Sequence, residues 1–519
     1  MLSREALTEL LPALTLSERV LCILAPFFTL FSCPRLAAAT KWYEFYYDIV
    51  KSPGGQFAKK IERLHDEYGP IVRINPDEIH VRDPLWLDTL YAPNPTQRDK
   101  YPPAARMAGL PLGSHGTIEH DLHRKRRVAN APLFSKRAII SDGQNLIREH
   151  VKELIGIFEQ HFVENKPIQL DTVLLAFTTD TLYHYAFDKE SGLMSDPKAA
   201  QSWRNAMVSV GAATPFIKQF PWIIKIVRTL PHTVLAYFLP DVSRLLGVHK
   251  TMTSLVAEYI ATREDRPHLA EKTVEGDSKV KTSLERPPTL FHSIERSALP
   301  PHEKNAFRLQ QEGTTMLFAG SETTARLLAH TMFHLLDNPY IVLNIRKELW
   351  EVMGDDKQIP DLKILEKLPW LTASIRESLR LRAATTSRLP LVSKTALTYQ
   401  DWVIPGNTPV SMSHPDILHD PTIYPEPLRF IPERWFNPTE RANRSFVAFG
   451  KGTRMCQGMD FANAEMYITI ATLFLRFDLE LFETYRGRDI DYVRDCFLAE
   501  ASLQSQGIRV KVIANTGNI

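Results

Sequence analysis

The sequence predicts a mainly α-helical fold with a minor β-sheet region, and three observations predict it. First, no proline falls between Pro301 and Pro339, and Gly313 to Leu336 carries only two formal charges, Glu322 and Arg326. A helix apolar on nearly all sides is a buried one. Helical throughout, His302 to Asn338 would span about 55 Å, on the order of the diameter of a domain this size. Second, nine prolines crowd Pro390 to Pro438, which excludes a long helix and leaves extended segments, turns and meandering loop. Third, the period-2 alternation that marks strands is confined to short runs.

In chain order, Val20 to Ser32 is the most apolar stretch near the start. It is shorter than the roughly 20 residues that span a bilayer. Residues 1–36 are therefore weighed as a membrane anchor against a docked helix, and 37–519 as a single domain. Tyr68 to Arg82 reads as two short strands around an Asn75-Pro-Asp-Glu turn, with Val72 and Ile74 alternating with Arg73. Ser141 to Ala213 is mostly helical. Thr214 to Pro240 is apolar but broken by Pro215, Pro221, Pro231 and Pro240, which predicts short helices whose apolar surface is core, pocket mouth or lipid contact. Arg263 to Thr282 is a charged, solvated seam. A second strong helix starts at Pro369, where proline suits a first turn, and runs to Leu381. Helix returns from Asp460 to Phe474, and Gly507 to Ile513 reads as a strand.

Composition narrows the function. The chain has 519 residues and 62 Lys plus Arg against 60 Asp plus Glu, a net charge of +2. That balance excludes a protein built to neutralise the phosphates of a nucleic acid. The four cysteines, Cys22, Cys33, Cys456 and Cys496, form no C-x-x-C pair and are too few for a disulfide scaffold.

Glycine is scarce, at 22 residues, yet Gly450, Gly452 and Gly458 crowd around Cys456 just before the helix at Asp460. Backbone N–H groups and Arg454 favour a thiolate there, suited to a nucleophile or a metal ligand. No histidine lies near in sequence to serve as a base, and a buried structural cysteine is the plain alternative. The whole string, Phe449-Gly-Lys-Gly-Thr-Arg-Met-Cys-Gln-Gly458, resembles the haem-binding loop of the cytochrome P-450 superfamily. Its six fixed positions match at Phe449, Gly450, Gly452, Arg454, Cys456 and Gly458, and a chance match is well under roughly one in ten thousand. The resemblance implies a haem-thiolate fold, with haem b between the long central helix and the cysteine-loop helix. It implies Cys456 as axial iron ligand, Arg454 paired with a propionate, and Phe449 packed against the ring or the loop.

Other motifs follow the same resemblance. Glu377 and Arg380 share a helix face at i, i+3. With Arg434 of Pro432-Glu-Arg-Trp435 they match a family network that holds the cysteine loop, although a solvated pair is the ordinary reading of two such charges. Ala319-Gly-Ser-Glu-Thr-Thr324 resembles the oxygen-binding segment. Gly320 would leave room for dioxygen, Thr323 would hydrogen-bond it and Glu322 would relay protons; a buried Glu322–Arg326 pair is the alternative. His120-Asp-Leu-His-Arg-Lys-Arg-Arg127 is the strongest basic run. Where many family members have Trp-x-x-x-Arg for the propionates, this chain has His123 and Arg127, and its other cations suit an acidic electron donor. Arg388 is a further expected propionate partner. The loop Tyr101 to Gly116, the segment Thr214 to Phe220, Thr385 to Ser387, Thr315 and Phe318 fall where the family shapes its pocket.

The resemblance, closest to fungal secondary-metabolism members that include oxidases of sesquiterpenes, implies a monooxygenase. It would insert one oxygen atom of O2 into an apolar small molecule, a terpenoid or polyketide. Electrons would come from NADPH-cytochrome reductase at the endoplasmic reticulum membrane, on its cytoplasmic face. A haem-thiolate isomerase or dehydratase, a nitric oxide reductase, and a non-enzymatic haem sensor are the alternatives.

Overall fold

A computed structural model describes residues 34–516 apart from 108, 231–234, 236, 238–239, 265–288, 354–358 and 384. The apolar run Val20 to Ser32 and nearly all of the charged seam lie outside these residues. The long proline-free interval folds as one helix, α7 (Ala306–Leu336). It spans about 46 Å, and starts later than expected because Pro301–Glu303 forms a 3-10 turn and the Asn305 side chain caps the next residue by accepting from the Arg308 N–H. Its middle is buried on almost every side.

The other long helices pack around it. They are α1 (Phe57–Tyr68), α2 (His120–Asn130), α3 (Gln144–Val163), α4 (Leu170–Phe187), α5 (Pro197–Gln219) and α6 (Pro240–Glu264), followed by α8 (Pro339–Val352), α9 (Pro369–Arg382) and α10 (Met459–Arg476). Helix α4 lies along α7 over its length, α6 packs beside it, and α9 and α10 close the other side. Their inward residues form one large apolar cluster, from Leu174 and Phe177 through Leu328 and Met332 to Ile470 and Phe474. In Thr214 to Pro240 the expected short helix forms at Ile223–Thr229, but α5 first continues through the buried Pro215 to Gln219. Phe216, Trp222 and Ile226 of this region are exposed.

The strands are short. A five-stranded sheet has the order β1 (Ile71–Arg73), β2 (Ile79–Val81), β8 (Pro409–Ser411), β5 (Leu391–Val392), β3 (Asp99–Lys100), with only β2 and β8 parallel. The expected β1–β2 hairpin pairs Ile71 with Val81. A second sheet joins β4 (Ile168–Gln169), β12 (Arg509–Asn515) and β9 (Phe477–Leu481). Two hairpins complete the set, β6 (Leu397–Tyr399) with β7 (Trp402–Ile404) and β10 (Arg494–Cys496) with β11 (Leu498–Glu500). Among the described residues no helix is long and apolar enough to cross a membrane.

Candidate active site

The proline-rich stretch between β8 and α10 delivers Cys456 to the first turn of α10. The Cys456 N–H donates to the Phe449 carbonyl at 2.8 Å, closing the loop on itself. Phe449 packs half-buried against the main apolar cluster. Gly450 and Gly452 turn the chain at φ +73° and +72°, and a Cβ on Gly452 would stand 2.4 Å from the Tyr91 carbonyl oxygen. Gly458 caps α10 and would meet nothing within 4 Å; its contribution is a backbone N–H offered to the sulfur. Cys456 is exposed yet so surrounded that burial raises its thiol pKa, while the Gly458 N–H and Arg127 pull the other way. Bonding to a cation would tip that balance to the thiolate. Cys496, the other described cysteine, is buried and free, its thiol pushed up to about 12 by burial.

Beside this loop sits a group of cations, of which Arg454 feels the carboxylate of Asp99 without pairing to it. Arg454 donates to the carbonyls of Thr117 (2.8 Å) and Ile118 (2.6 Å), and its Nε is buried without a partner. Burial pulls it down to about 10. Arg127 of α2 donates to the Met455 carbonyl, and Gln457 returns a 3.0 Å bond to the Arg127 carbonyl. His123, one turn back, is buried and drops to about 2, from burial and then from Arg454 and Arg127. Lys100 of β3 joins them without any signal in the sequence. Its ammonium is buried, donates to the His115 carbonyl at 2.7 Å, and falls to about 7 from burial and from Arg454. Among the described residues none of Lys100, Arg127 and Arg454 forms an ion pair. Uncompensated buried charge of one sign is costly, and a dianion would offset it. The two propionates of haem beside a cysteine sulfur fit that requirement.

On α7, Ala319 is exposed and Thr323 half-buried, though both sit mid-helix. The Thr323 hydroxyl donates to the Ala319 carbonyl at 2.8 Å. The alternative pairing of Glu322 is made: its Oε1 lies 2.5 Å from Arg326 Nε, and Arg326 also binds Glu500 at 2.7 Å. Gly320 faces α4. A Cβ there would meet Leu182 of α4 at 2.6 Å, so this glycine admits the neighbouring helix, and the small exposed residue is Ala319. Glu465 of α10 also escaped the sequence. It is fully buried against Thr324, and desolvation holds it well above the carboxylate range, so it is neutral.

Glu377, Arg380 and Arg434 come together. Fully buried Glu377 accepts five N–H bonds: two from Arg380 (2.8 and 2.9 Å), and one each from Arg434 (3.0 Å), Trp435 Nε1 (2.8 Å) and the Ile431 backbone (3.1 Å). Arg376 stacks over Trp435 and Phe446 at 4.2 and 5.1 Å, which ties this cluster to the chain leading to Cys456.

Arg388 is held by carboxylates. Its guanidinium is committed to Glu78 (2.8 and 3.1 Å) and Glu44 (2.8 Å) rather than to the cationic group beside Cys456. Lys218 at the end of α5 binds Glu44 and Asp48, each at 2.7 Å. Burial opposes ionisation of Glu44, but Arg388 and Lys218 hold it below the usual range. Glu44, Glu78, Lys218 and Arg388 border a cavity of about 210 Å³, also lined by Lys41, Arg106 and Ser387. Thr386 and Ser387 are pinned to Asp495 at 2.9 and 2.7 Å. The loop at 110–116 lies on α7, with the Leu112 and Ser114 N–H groups donating to Gln311 and Glu312. Gly113 rests on Thr315, where a Cβ would stand 2.1 Å from its hydroxyl, and Phe318 packs on Trp203, 6.2 Å between rings.

A family model described as Cytochrome P450 matches residues 39–504. The chain is 38% identical to a protein named tryptophan 6-hydroxylase fscE of Fusarium equiseti, over 93% of this chain and 91% of that protein. It is 35% identical to cytochrome P450 monooxygenase sdnE of Sordaria araneosa, over 93% and 92%. It is 34% identical to N-acetyltryptophan 6-hydroxylase ivoC of Emericella nidulans, over 92% and 91%.

Proposed function

Because the chain belongs to the cytochrome P450 family and is a haem-thiolate monooxygenase related to enzymes of fungal secondary metabolism, we propose that Cys456 is its iron ligand. The uncompensated cluster of Lys100, Arg127 and Arg454 beside that cysteine is the observation that carries the assignment. When bound, haem b supplies the activation of O2, which with two electrons and two protons yields one hydroxylated substrate and one water. The chain's own groups do the rest. The Gly458 N–H and the start of α10 stabilise negative charge on the Cys456 sulfur. Lys100, Arg127 and Arg454 hold the propionates, with neutral His123 as a hydrogen-bonding neighbour. Gly450 and Gly452 shape the loop, and Phe449 walls it from the core. The Thr323 hydroxyl holds a proton at Oγ1 on the exposed strip of α7, and Glu322, its chain neighbour held by Arg326, is the carboxylate that relays protons toward it. Glu377, Arg380 and Arg434 brace the loop.

Electrons come from NADPH-cytochrome reductase, an acidic partner for which exposed Arg124 and Lys125 of α2 are a docking point. The domain 37–519 works at the cytoplasmic face of the endoplasmic reticulum membrane, with residues 1–36 as its anchor. Exposed Trp42, Trp222 and Ile226 support a lipid-facing side.

The substrate is an organic small molecule, and a terpenoid or polyketide is the first reading. A second is favoured by the cavity beside Arg388, whose charged lining suits an aromatic amino-acid derivative with a carboxylate. Spin-state titration of the holoenzyme against terpenoids, polyketides, tryptophan and N-acetyltryptophan decides between them. The assignment itself is tested by Cys456→Ala and Cys456→His. Both are expected to abolish the reduced carbon-monoxide band of thiolate haem, and an unchanged band overturns it.

A further inference from the structure

Far along the chain from Cys456, the last turn of α4 and the middle of α3 bring together three side chains that the monooxygenase reaction does not use. His150 projects from α3, His184 from α4, and Glu190 from the loop that follows α4. One potential ligand atom from each lies within 4.8 Å of the other two. The imidazole rings of His150 and His184 are 5.5 Å apart, edge to face at 83°. Glu190 Oε1 stands 2.7 Å from His184 Nδ1, yet that nitrogen makes no hydrogen bond. A fourth side chain, the carboxylate of Glu153 on α3, reaches to 3.9 Å from His150 Nδ1.

His150 is the second, independent observation. It is 3% exposed, and neither of its ring nitrogens has a hydrogen-bond partner. A buried imidazole with two unmet nitrogens is unfavourable unless something else satisfies it. Burial holds it neutral, the state that ligates metals. The loop carrying Glu190 is fixed from below: Asp180 of α4 accepts from the Leu193 and Met194 N–H groups (3.0 and 2.8 Å) and from the Ser191 hydroxyl. The carboxylate is thus delivered to the two imidazoles by a held loop. Helix α4 ends at Asp188, which takes φ +55° and turns the chain back toward His184.

We propose that His150, His184 and Glu190 form a zinc site, with Glu153 as a fourth ligand. Two imidazoles and a carboxylate suit zinc, whereas magnesium and calcium prefer all-oxygen shells. A tetrahedral ion draws its ligand atoms to ~3.3 Å from one another, given bonds of about 2.0–2.2 Å. The exposed Glu190 and the end-of-helix His184 are free to make that contraction against the fixed His150. The ion would staple α3 to the C-terminus of α4.

The test uses chelator-treated holoenzyme, in which haem engages Cys456, without an affinity tag. Zinc chloride is titrated, with bound metal counted by elemental analysis and Tm followed. The expected result is one zinc per chain and a Tm rise of about 2 °C or more at saturation. His184→Ala and Glu190→Gln, both on partly exposed side chains, are expected to lose the bound zinc and the Tm rise while keeping the carbon-monoxide band, which reports folding. Equal zinc binding by wild type and both variants overturns the proposal, as does an equal Tm rise with magnesium chloride.

Discussion

Two glycines of the cysteine loop look alike in sequence and differ in what holds them. Gly452 sits in the left-handed region with its α-carbon against the Tyr91 carbonyl, whereas Gly458 has an ordinary φ of −86° and open space. Gly452→Ala is therefore expected to destabilise the holoenzyme by about 2 kcal/mol or more. Gly458→Ala, which keeps the backbone N–H toward the sulfur, should stay within about 0.5 kcal/mol. Thermal unfolding of the two variants side by side checks the contrast, and equal losses would refute it. At this scale the sequence was legible wherever a motif is contiguous, as around Cys456. It was silent on Lys100 and Glu465, whose significance arises from burial and neighbours distant in sequence. Gly320 shows what a motif leaves open: the face that each residue presents is set by the packing of α4.

At the scale of elements, α9 and the turn at Pro432–Trp435 are welded through one carboxylate. Removing charge from a buried group that neutralises buried arginines leaves them unpaired, which costs about 3–5 kcal/mol. Glu377→Gln is thus expected to lower Tm sharply and to cut haem retained on purification, read as the carbon-monoxide band per mole of protein; an unchanged band and Tm would remove the bracing role. The α9 start at Pro369 and the long α7 were both readable, because proline placement and charge scarcity act locally. Three features were not: α7 starts at a cap rather than at its flanking proline, α5 absorbs Pro215 into its body, and Arg388 turns to two glutamates. Each is decided by contacts with other elements, which a periodicity cannot encode.

Over the whole molecule, several histidines are buried neutral. His65, 2.7 Å from His80, falls to about 4, and His334, stacked on Phe430, to about 3, both chiefly from burial. Unfolded imidazole takes its proton near pH 6.5, whereas these two refuse it until pH 4 or below. Below pH 6.5 the unfolded chain therefore binds more protons, and stability falls as pH falls, by up to about 1.4 kcal/mol per pH unit for each group. Tm should be level from pH 8 to 6.5 and drop toward pH 5; a Tm unchanged between 6.5 and 5 would refute the assignment.

The same long-range contacts set a schedule for synthesis. Glu377 leaves the ribosome 54 residues before Ile431 and 58 before Trp435, so α9 carries an unfinished charge cluster until that turn has been made. The edge of β4, formed by residue 169, waits still longer for β12 near residue 510. The brace on α9 and the second sheet therefore close only when the last part of the chain is available, so a truncation near residue 505 removes the partner of β4.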